Sequence, residues 1–521
     1  MVILKKGGRP FSLSGQQYDR GDCMPSDEGI LTSTRTAEST NLLYAYILAG
    51  IGFGCMIGWD IIGLFAPALP LLSFGGVSHA LLLCTVGIAS TAISYAVGHR
   101  FADKIFRHRA VLAPVAGACG IVVALLGFAH QVWSIPTAFD IVGWIAFGFG
   151  KALLCLVWCA YLSAIPSKCT GIAVGCGAVF GSALFGAIGT AAPDNMFLLG
   201  AIALPIASLA VLSLLFRTMP AGFYPAPTED YRKPPSALAA PAALSLGAHG
   251  IVYGFITFFV CSLDAKAAAI VGASGIVGCA LVAILAYFAP KANFDNSIVQ
   301  RISLPVIVIG LLLIPLLNQE GKIACCCLIN SALAFTNVMA WSTVCTENSE
   351  FHLQPIARFA SRQGPLWAGL LAGAVLTLTL QPVLLTNTTT LSFVVLVLAG
   401  FVVISFSIYG ADDSKSRHQL EELITIDDPE PESLATDEAD QGHEESFKER
   451  CDKACDRYGL SPRERDVFFL LAKGRNAKFI QEELCISAST VKTHIYRIYR
   501  KMGINSQQLL IDTVDEERSE Q

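Results

Sequence analysis

Apolar residues run through the chain in long blocks until about residue 410, and then the spacing of apolar positions changes. A run of roughly 20 apolar residues is long enough to cross a bilayer as a helix. About twelve such runs lie near 42–66, 78–98, 110–130, 138–163, 170–190, 196–216, 241–262, 268–289, 302–318, 323–343, 364–384 and 391–409. The longest polar break, at 217–240, is rich in proline and separates six runs from six. Beyond residue 446 apolar positions recur every three or four residues, the spacing of a water-soluble helix with one buried face. The pattern predicts an all-α protein: a polytopic transmembrane helix bundle of about 12 spans (6+6) with a small C-terminal domain of four helices.

The helix boundaries of that last domain are written in its residues. "LSPRERDVFFLLAKG" at 460–474 opens with Ser461 as N-cap, Pro462 at the first helical position and Glu464 three residues after the cap. This is a capping box with the expected proline, and Gly474 stops the helix. Asn476 caps a short helix with Ile480 and Leu484 facing in, Cys485 and Ile486 make a turn, and Ser487 caps the next helix. At 100° per residue, Val491, Ile495, Ile498 and Met502 fall within about 60° of one another and form a core stripe. Opposite them lie Ser489, Lys492, Thr493, Tyr496, Arg497 and Arg500, a face with basic and hydroxyl groups and no carboxylate. Two short helices, a tight turn and a helix with a basic outer face form the arrangement that enters a major groove.

Charge sharpens the division. The chain is 53% hydrophobic and 15% charged, with a formal net charge of −5. Of the Lys, Arg, Asp and Glu residues, 10 fall in 1–41, 26 in 42–410 and 41 in 411–521. Residues 411–446 hold 13 acidic and two basic side chains, too little apolar matter to bury, and are expected to be a disordered linker. Residues 456–510, with ten basic and five acidic side chains, carry the opposite sign. The expected domains are a tail at 1–41, the transmembrane domain at 42–410, the linker at 411–446 and the soluble domain at 447–521. The connections at alternate ends of the spans carry 12 basic residues, from Arg100 to Arg362, against Lys266 and Lys322 on the other side. Positive loops stay in the cytoplasm, which predicts a plasma-membrane protein with its N-terminus and its C-terminal domain on that side.

Candidate chemistry within the spans is sparse. Lys151, in "FGFGKALLCLVW", is an ionisable group in an apolar run, and Asp60 and Asp140 are the acids available to it. With His249 they make a candidate ligand or ion site, because intramembrane charges are costly and functional by default. Glycines at four-residue spacing (Gly50, Gly54, Gly58; Gly171, Gly175; Gly177, Gly181) mark packing seams. Most of the 17 cysteines, among them Cys55, Cys84, Cys155, Cys261 and Cys325 to Cys327, sit in apolar runs as small hydrophobes. Cys451 and Cys455 lack a second pair to complete a metal-ligand spacing. Paired carboxylates in a cleft, a Ser-His-Asp set and metal clusters are all missing from the pattern, so neither catalytic residues nor a cofactor or metal are expected.

Two resemblances add to this reading. Two groups of six spans joined by a long loop resemble the major facilitator transporters, and "RFADKIFRHR" at 100–109 is similar to that family's loop between its second and third helices. His99 and Phe106 stand there where the family has glycines. "LSPRERDVFFLLAKG" followed by "ISASTVKTHIYRIYRKMGINS" resembles the LuxR-type helix-turn-helix domain. That resemblance implies that 488–502 is the recognition helix, with Lys492, Thr493 and Tyr496 approaching base edges. It also implies phosphate contacts from Ser487, Ser489, Thr490, Arg497, Arg500 and Lys501, and dimer contacts from Leu509 and Leu510. Phe479, Gln481 and Gln507 depart from the family pattern. The implied function is a membrane-bound one-component transcriptional regulator that binds double-stranded DNA, as a homodimer, with the membrane domain as sensor of an unknown signal. A transporter with a regulatory DNA-binding tail is the alternative.

Overall fold

The computed structural model describes residues 27–65, 77–133, 136–165, 167–191, 195–218, 240–288, 296–351, 353–410, 441–475, 477–484, 488–502, 504 and 507–516. An apolar set of helices comes first. The first six runs become α1 (Asp27–Phe65), α2 (Val77–Arg100), a short α3 (Ala102–Arg107), α4 (Arg109–Val132), α5 (Ala138–Leu162), α6 (Ser167–Ala191) and α7 (Asn195–Thr218). The second six become α8 (Ala240–Leu263), α9 (Ala265–Phe288), α10 (Asn296–Leu313), α11 (Gln319–Phe351), α12 (Pro355–Thr386) and α13 (Thr388–Gly410). Leaving out α3, a helix stands at each expected span. Ten are long and apolar enough to cross a membrane, while α7 and α10 contribute the shorter stretches Gly200–Phe216 and Ile302–Leu316.

The boundaries differ from the hydropathy pattern in two places. Helical backbone in α1 begins at Asp27, well before the apolar residues, because helical hydrogen bonding propagates through a polar stretch without proline to stop it. The connection expected at 344–363 is mostly helix, divided between the end of α11 and the start of α12. Pro355 restarts the helix at its first turn, and the Gln354 side chain accepts from Ala357 N at 2.5 Å.

Packing repeats itself. α1 packs on α6 and α7, α2 on α5, and α4 on α5 and α7. Six spans later, α8 packs on α12 and α13, α9 on α11, and α10 on α11 and α13. The second set of pairings is the first shifted by six, so the bundle consists of two like halves. They meet chiefly where α2 lies on α12 and α6 on α9. Gly50, Gly54, Gly58, Gly177 and Gly181 are the seam between α1 and α6: a Cβ at Gly54 would sit 2.5 Å from the Gly177 carbonyl oxygen, and one at Gly177 would sit 2.6 Å from that of Gly50; Gly171 and Gly175 instead face α9 and α11 of the second half. Gly250 and Gly373 meet Leu366 and Ile251 in the matching seam between α8 and α12. Only glycine lets these backbones approach so closely.

The C-terminal domain has α14 (Gln441–Arg457), α15 (Pro462–Ala472), α16 (Ala477–Glu483), α17 (Ala488–Met502) and α18 (Gln507–Glu516). That is one helix beyond the four expected. α14 escapes the hydropathy pattern because its inward face is small: Cys451, Ala454 and Cys455 are at most 2% exposed, and Phe447 stacks near Phe469 with ring centroids 5.7 Å apart. Burial pushes the Cys451 thiol up to about 12 and the Cys455 thiol up to about 11. Leu460, Val467, Phe468, Leu471, Ala472, Ile480, Val491, Ile498, Met502, Leu510 and Val514 complete this core, which among the described residues draws on no membrane helix. Residues 411–440 of the expected linker lie outside the described residues, and its last residues are already the start of α14.

Candidate nucleic-acid interface and membrane charge cluster

The helix-turn-helix unit is assembled from α15, α16 and α17. Ser461 and Glu464 form the capping box, in which Ser461 N donates to Glu464 Oε2 at 2.7 Å. Gly474, at φ +73°, closes α15: its own N–H reaches the Leu471 carbonyl at 2.9 Å and the Arg475 N–H reaches Leu470 at 3.0 Å. α16 and α17 then pack on each other, and α17 packs on α15. The core stripe of α17 is as expected, with Val491 and Ile498 fully buried, Met502 8% exposed and Ile495 partly buried.

Positions 489, 492, 493, 496, 497 and 500 therefore lie on the side of α17 away from the domain core. Arg497 is exposed. The backbone at Ser489, Thr490, Lys492, Thr493, Tyr496 and Arg500 is helical, whereas their side chains, and Ser487 altogether, fall outside the described part. Lys501 makes contacts within the domain. Its ammonium donates to Glu464 Oε2 at 2.7 Å and to the Gly459 carbonyl at 2.8 Å, tying the end of α17 to the start of α15. Burial would raise the Glu464 carboxyl, but the hydrogen bonds from Lys501 and Ser461 outweigh it and hold the group down at about 2.

The departures from the family pattern also find places. Gln507 Nε2 donates to the carbonyls of Leu471 (2.8 Å) and Arg475 (3.2 Å), so it caps the end of α15 from α18. Phe479 is 38% exposed with the Arg475 guanidinium 4.9 Å from its ring centroid. Gln481 is half-buried. Of the two leucines expected at a dimer contact, Leu510 is fully buried in the domain core and Leu509 is 44% exposed.

In the membrane domain two of the four candidate residues meet. Lys151 on α5 forms an ion pair with Asp60 on α1, and both side chains are largely buried, at 3% and 18% exposure. Trp367 on α12 completes the cluster from the other half: the Lys151 Nζ stands 3.3 Å from its ring centroid, a cation–π contact. Asp140 is buried in the first turn of α5, about 16 Å along the helix from Lys151. His249 belongs elsewhere, in the second half. Its Nδ1 donates to the Ser245 carbonyl at 2.9 Å, and its ring lies tilted against Phe406 with centroids 4.6 Å apart. The two halves touch again at the end that holds the expected cytoplasmic loops. There Asn348 donates to Ser163 at 3.2 Å and His99 Nδ1 donates to the Ala357 carbonyl at 3.0 Å, while Arg358 pairs with Glu347 within the second half.

Residues 459–514 match the family model of bacterial regulatory proteins, luxR family. Among curated proteins, this chain is 33% identical over 114 residues to a protein named as an HTH-type transcriptional regulator, Rv0890c of Mycobacterium tuberculosis. That alignment covers 21% of this chain and 13% of the relative, so the chain spans only a small part of the length of the curated relatives it matches first. The transcriptional regulatory protein NarL of the same organism is 46% identical over 46 residues (9% of this chain, 21% of that one). The transcriptional activator protein ExaE of Pseudomonas putida is 40% identical over 53 residues (10% and 25%). The membrane part is similar to a solved structure, the human organic anion transporter MFSD10 (TETRAN). With 13% identity and a TM-score of 0.51, covering 70% of this chain and 99% of that one, this likeness is one of fold.

The chain thus carries at 459–514 a domain of the luxR family, after a helix bundle similar in fold to that of MFSD10. Trp367 escapes the sequence pattern, since an aromatic residue in a span reads as lipid-facing or core. The Lys501 anchor escapes it too, because the family spacing places a lysine there without saying what it touches.

Proposed function

We propose that the protein is a membrane-bound one-component transcriptional regulator: the luxR-type domain binds duplex DNA, and the membrane bundle senses the signal. The observation that carries this is the match over 459–514 on a domain whose α17 turns its apolar stripe to the core and its basic register outward. Lys492, Thr493 and Tyr496 read base edges. Ser487, Ser489, Thr490, Arg497 and Arg500 hold phosphates, which position the helix and carry the salt dependence. Lys501 steers α17 through Glu464. The domain binds as a homodimer, with Leu509 on the contact surface.

The cytoplasmic placement of both termini is supported by the charged end of the bundle. Arg100, Lys104 and Arg107 are exposed around α3, at the end where α12 begins. A signal bound in the membrane changes DNA occupancy only through its different affinity for two arrangements of the bundle.

The test is sequencing of DNA fragments recovered with the full-length protein, followed by titration of a recovered fragment at several salt concentrations. Specific binding whose logarithm falls linearly with log salt is expected, by about 0.9 per phosphate neutralised. Absence of any salt-sensitive duplex affinity overturns the proposal. Uptake of solute by proteoliposomes without any effect on transcription favours the transporter reading instead.

A further inference from the structure

The charge cluster of the membrane domain allows the ligand class to be named, on the reading that this domain is the sensor. Lys151 and Asp60 form a neutral pair in the first half, and Trp367 reaches the ammonium from the second. Access to the two charges is unequal, since the Asp60 side chain keeps 18% of its surface and that of Lys151 only 3%.

A ligand bound here must leave the site's charge balanced, because an uncompensated charge in the apolar region is costly. A cation pairs with Asp60, and Lys151 must then release a proton. An anion pairs with Lys151, and Asp60 must then take one up. Either singly charged class therefore carries the handicap of a proton transfer. A zwitterion meets neither handicap.

We infer that this site binds a zwitterionic small molecule of the amino-acid class, its carboxylate on Lys151, its ammonium on Asp60 and its side chain against Trp367. One ion pair becomes two, no proton moves, and the net charge stays at zero. Binding draws the Lys151 ammonium off the Trp367 ring and so acts on a contact between the halves, which gives the ligand the differential affinity a switch needs.

The test uses full-length protein in lipid nanodiscs without DNA, with binding read by tryptophan fluorescence and by thermal shift. The probes are two matched sets: L-phenylalanine, phenethylamine and 3-phenylpropionate, and L-leucine, 3-methylbutylamine and 4-methylpentanoate. At least one zwitterion binds on the order of 100-fold more tightly than its own amine and acid. Asp60→Asn/Lys151→Met removes both charges at once, leaves no lone buried charge, and loses that preference. The exchange Asp60→Lys/Lys151→Asp recovers part of it. Failure of both zwitterions to bind, or an amine or acid that binds as tightly as its zwitterion, overturns the inference on the wild-type protein alone. DNA is absent throughout, so that failure leaves the DNA-binding proposal standing, and a failure of DNA binding leaves this result intact.

Discussion

The anchor between Lys501 and Glu464 makes the stability of the C-terminal domain depend on acid in a way that can be calculated. Glu464 is 3% exposed, its side chain caps Ser461 N, and the Lys501 ammonium sits 2.7 Å from the same oxygen. Its pKa falls from 4.5 to about 2. A carboxyl depressed in the folded state stabilises it fully above the unfolded value, and that stability is lost as pH falls from about 4.5 to about 2. At 1.36 kcal/mol per unit the shift is worth at most about 3 kcal/mol, and the partial exposure of Lys501 to solvent reduces this to about 2. Among the described residues the C-terminal core draws on no membrane helix, so residues 441–521 form a suitable excised domain for urea denaturation followed by circular dichroism. A domain of this size unfolds with a slope of about 1 kcal/mol per molar urea. Glu464→Gln should therefore lower the midpoint by about 2 M at pH 7, and the difference from wild type should shrink steadily as pH falls below 4.5. Equal midpoints at pH 7, or a difference that does not change with acid, would refute the assigned role of Lys501.

Three other outcomes follow from the packing. Gly54→Leu brings side-chain atoms into the Gly177 backbone and should lower the melting temperature of the purified protein by several degrees, whereas Gly400→Ala, with nothing within 4 Å, should not; equal melting points would show that the α1–α6 seam is not close-packed. Leu510→Asp should cost more than about 3 kcal/mol in urea denaturation by burying a charge in the domain core. Leu509→Asp should instead leave stability within about 0.5 kcal/mol and reduce cooperative binding to a two-site operator in gel-shift titration. Gln507→Leu removes both hydrogen bonds to the end of α15 and should destabilise the domain by about 1 kcal/mol per bond, about 2 kcal/mol together, seen in the same urea assay.

What could be read from the residues depended on how local the governing interactions are. Spans were legible because the bilayer requirement acts on runs of about 20 residues, and the α17 stripe because its apolar positions recur within one helix. Ser461, Glu464 and Gly474 were legible for the same reason: a cap is made by neighbours in the chain. α14 was missed because its buried face is two cysteines and an alanine, which weigh little in an apolar pattern. Of the candidate membrane residues, Asp60 and Lys151 meet while Asp140 and His249 do not, and nothing in the spacing of four residues on three helices decides which. Leu510 and Leu509 are adjacent, and only the placement of α18 on α15 turns the first inward.

The symmetry of the bundle gives its central charge pair a meaning beyond packing. Both halves pair their helices in the same order and close on glycine seams, so the scaffold needs only small and apolar residues to hold together. An ion pair taken out of water is weak support for stability, since apolar residues of similar volume commonly hold as well or better. Lys151 and Asp60 therefore add little that the glycine seams do not already supply, yet they put opposite charges on one side of the boundary between the halves and an indole on the other. A contact of that kind changes strongly when the halves move, because separating the ammonium from the ring and opening the pair to water alters both interactions at once. Its strength depends on the arrangement of the halves far more than a glycine seam within one half does. That dependence is what a bundle needs if it is to report a bound molecule to the DNA-binding domain that follows α13.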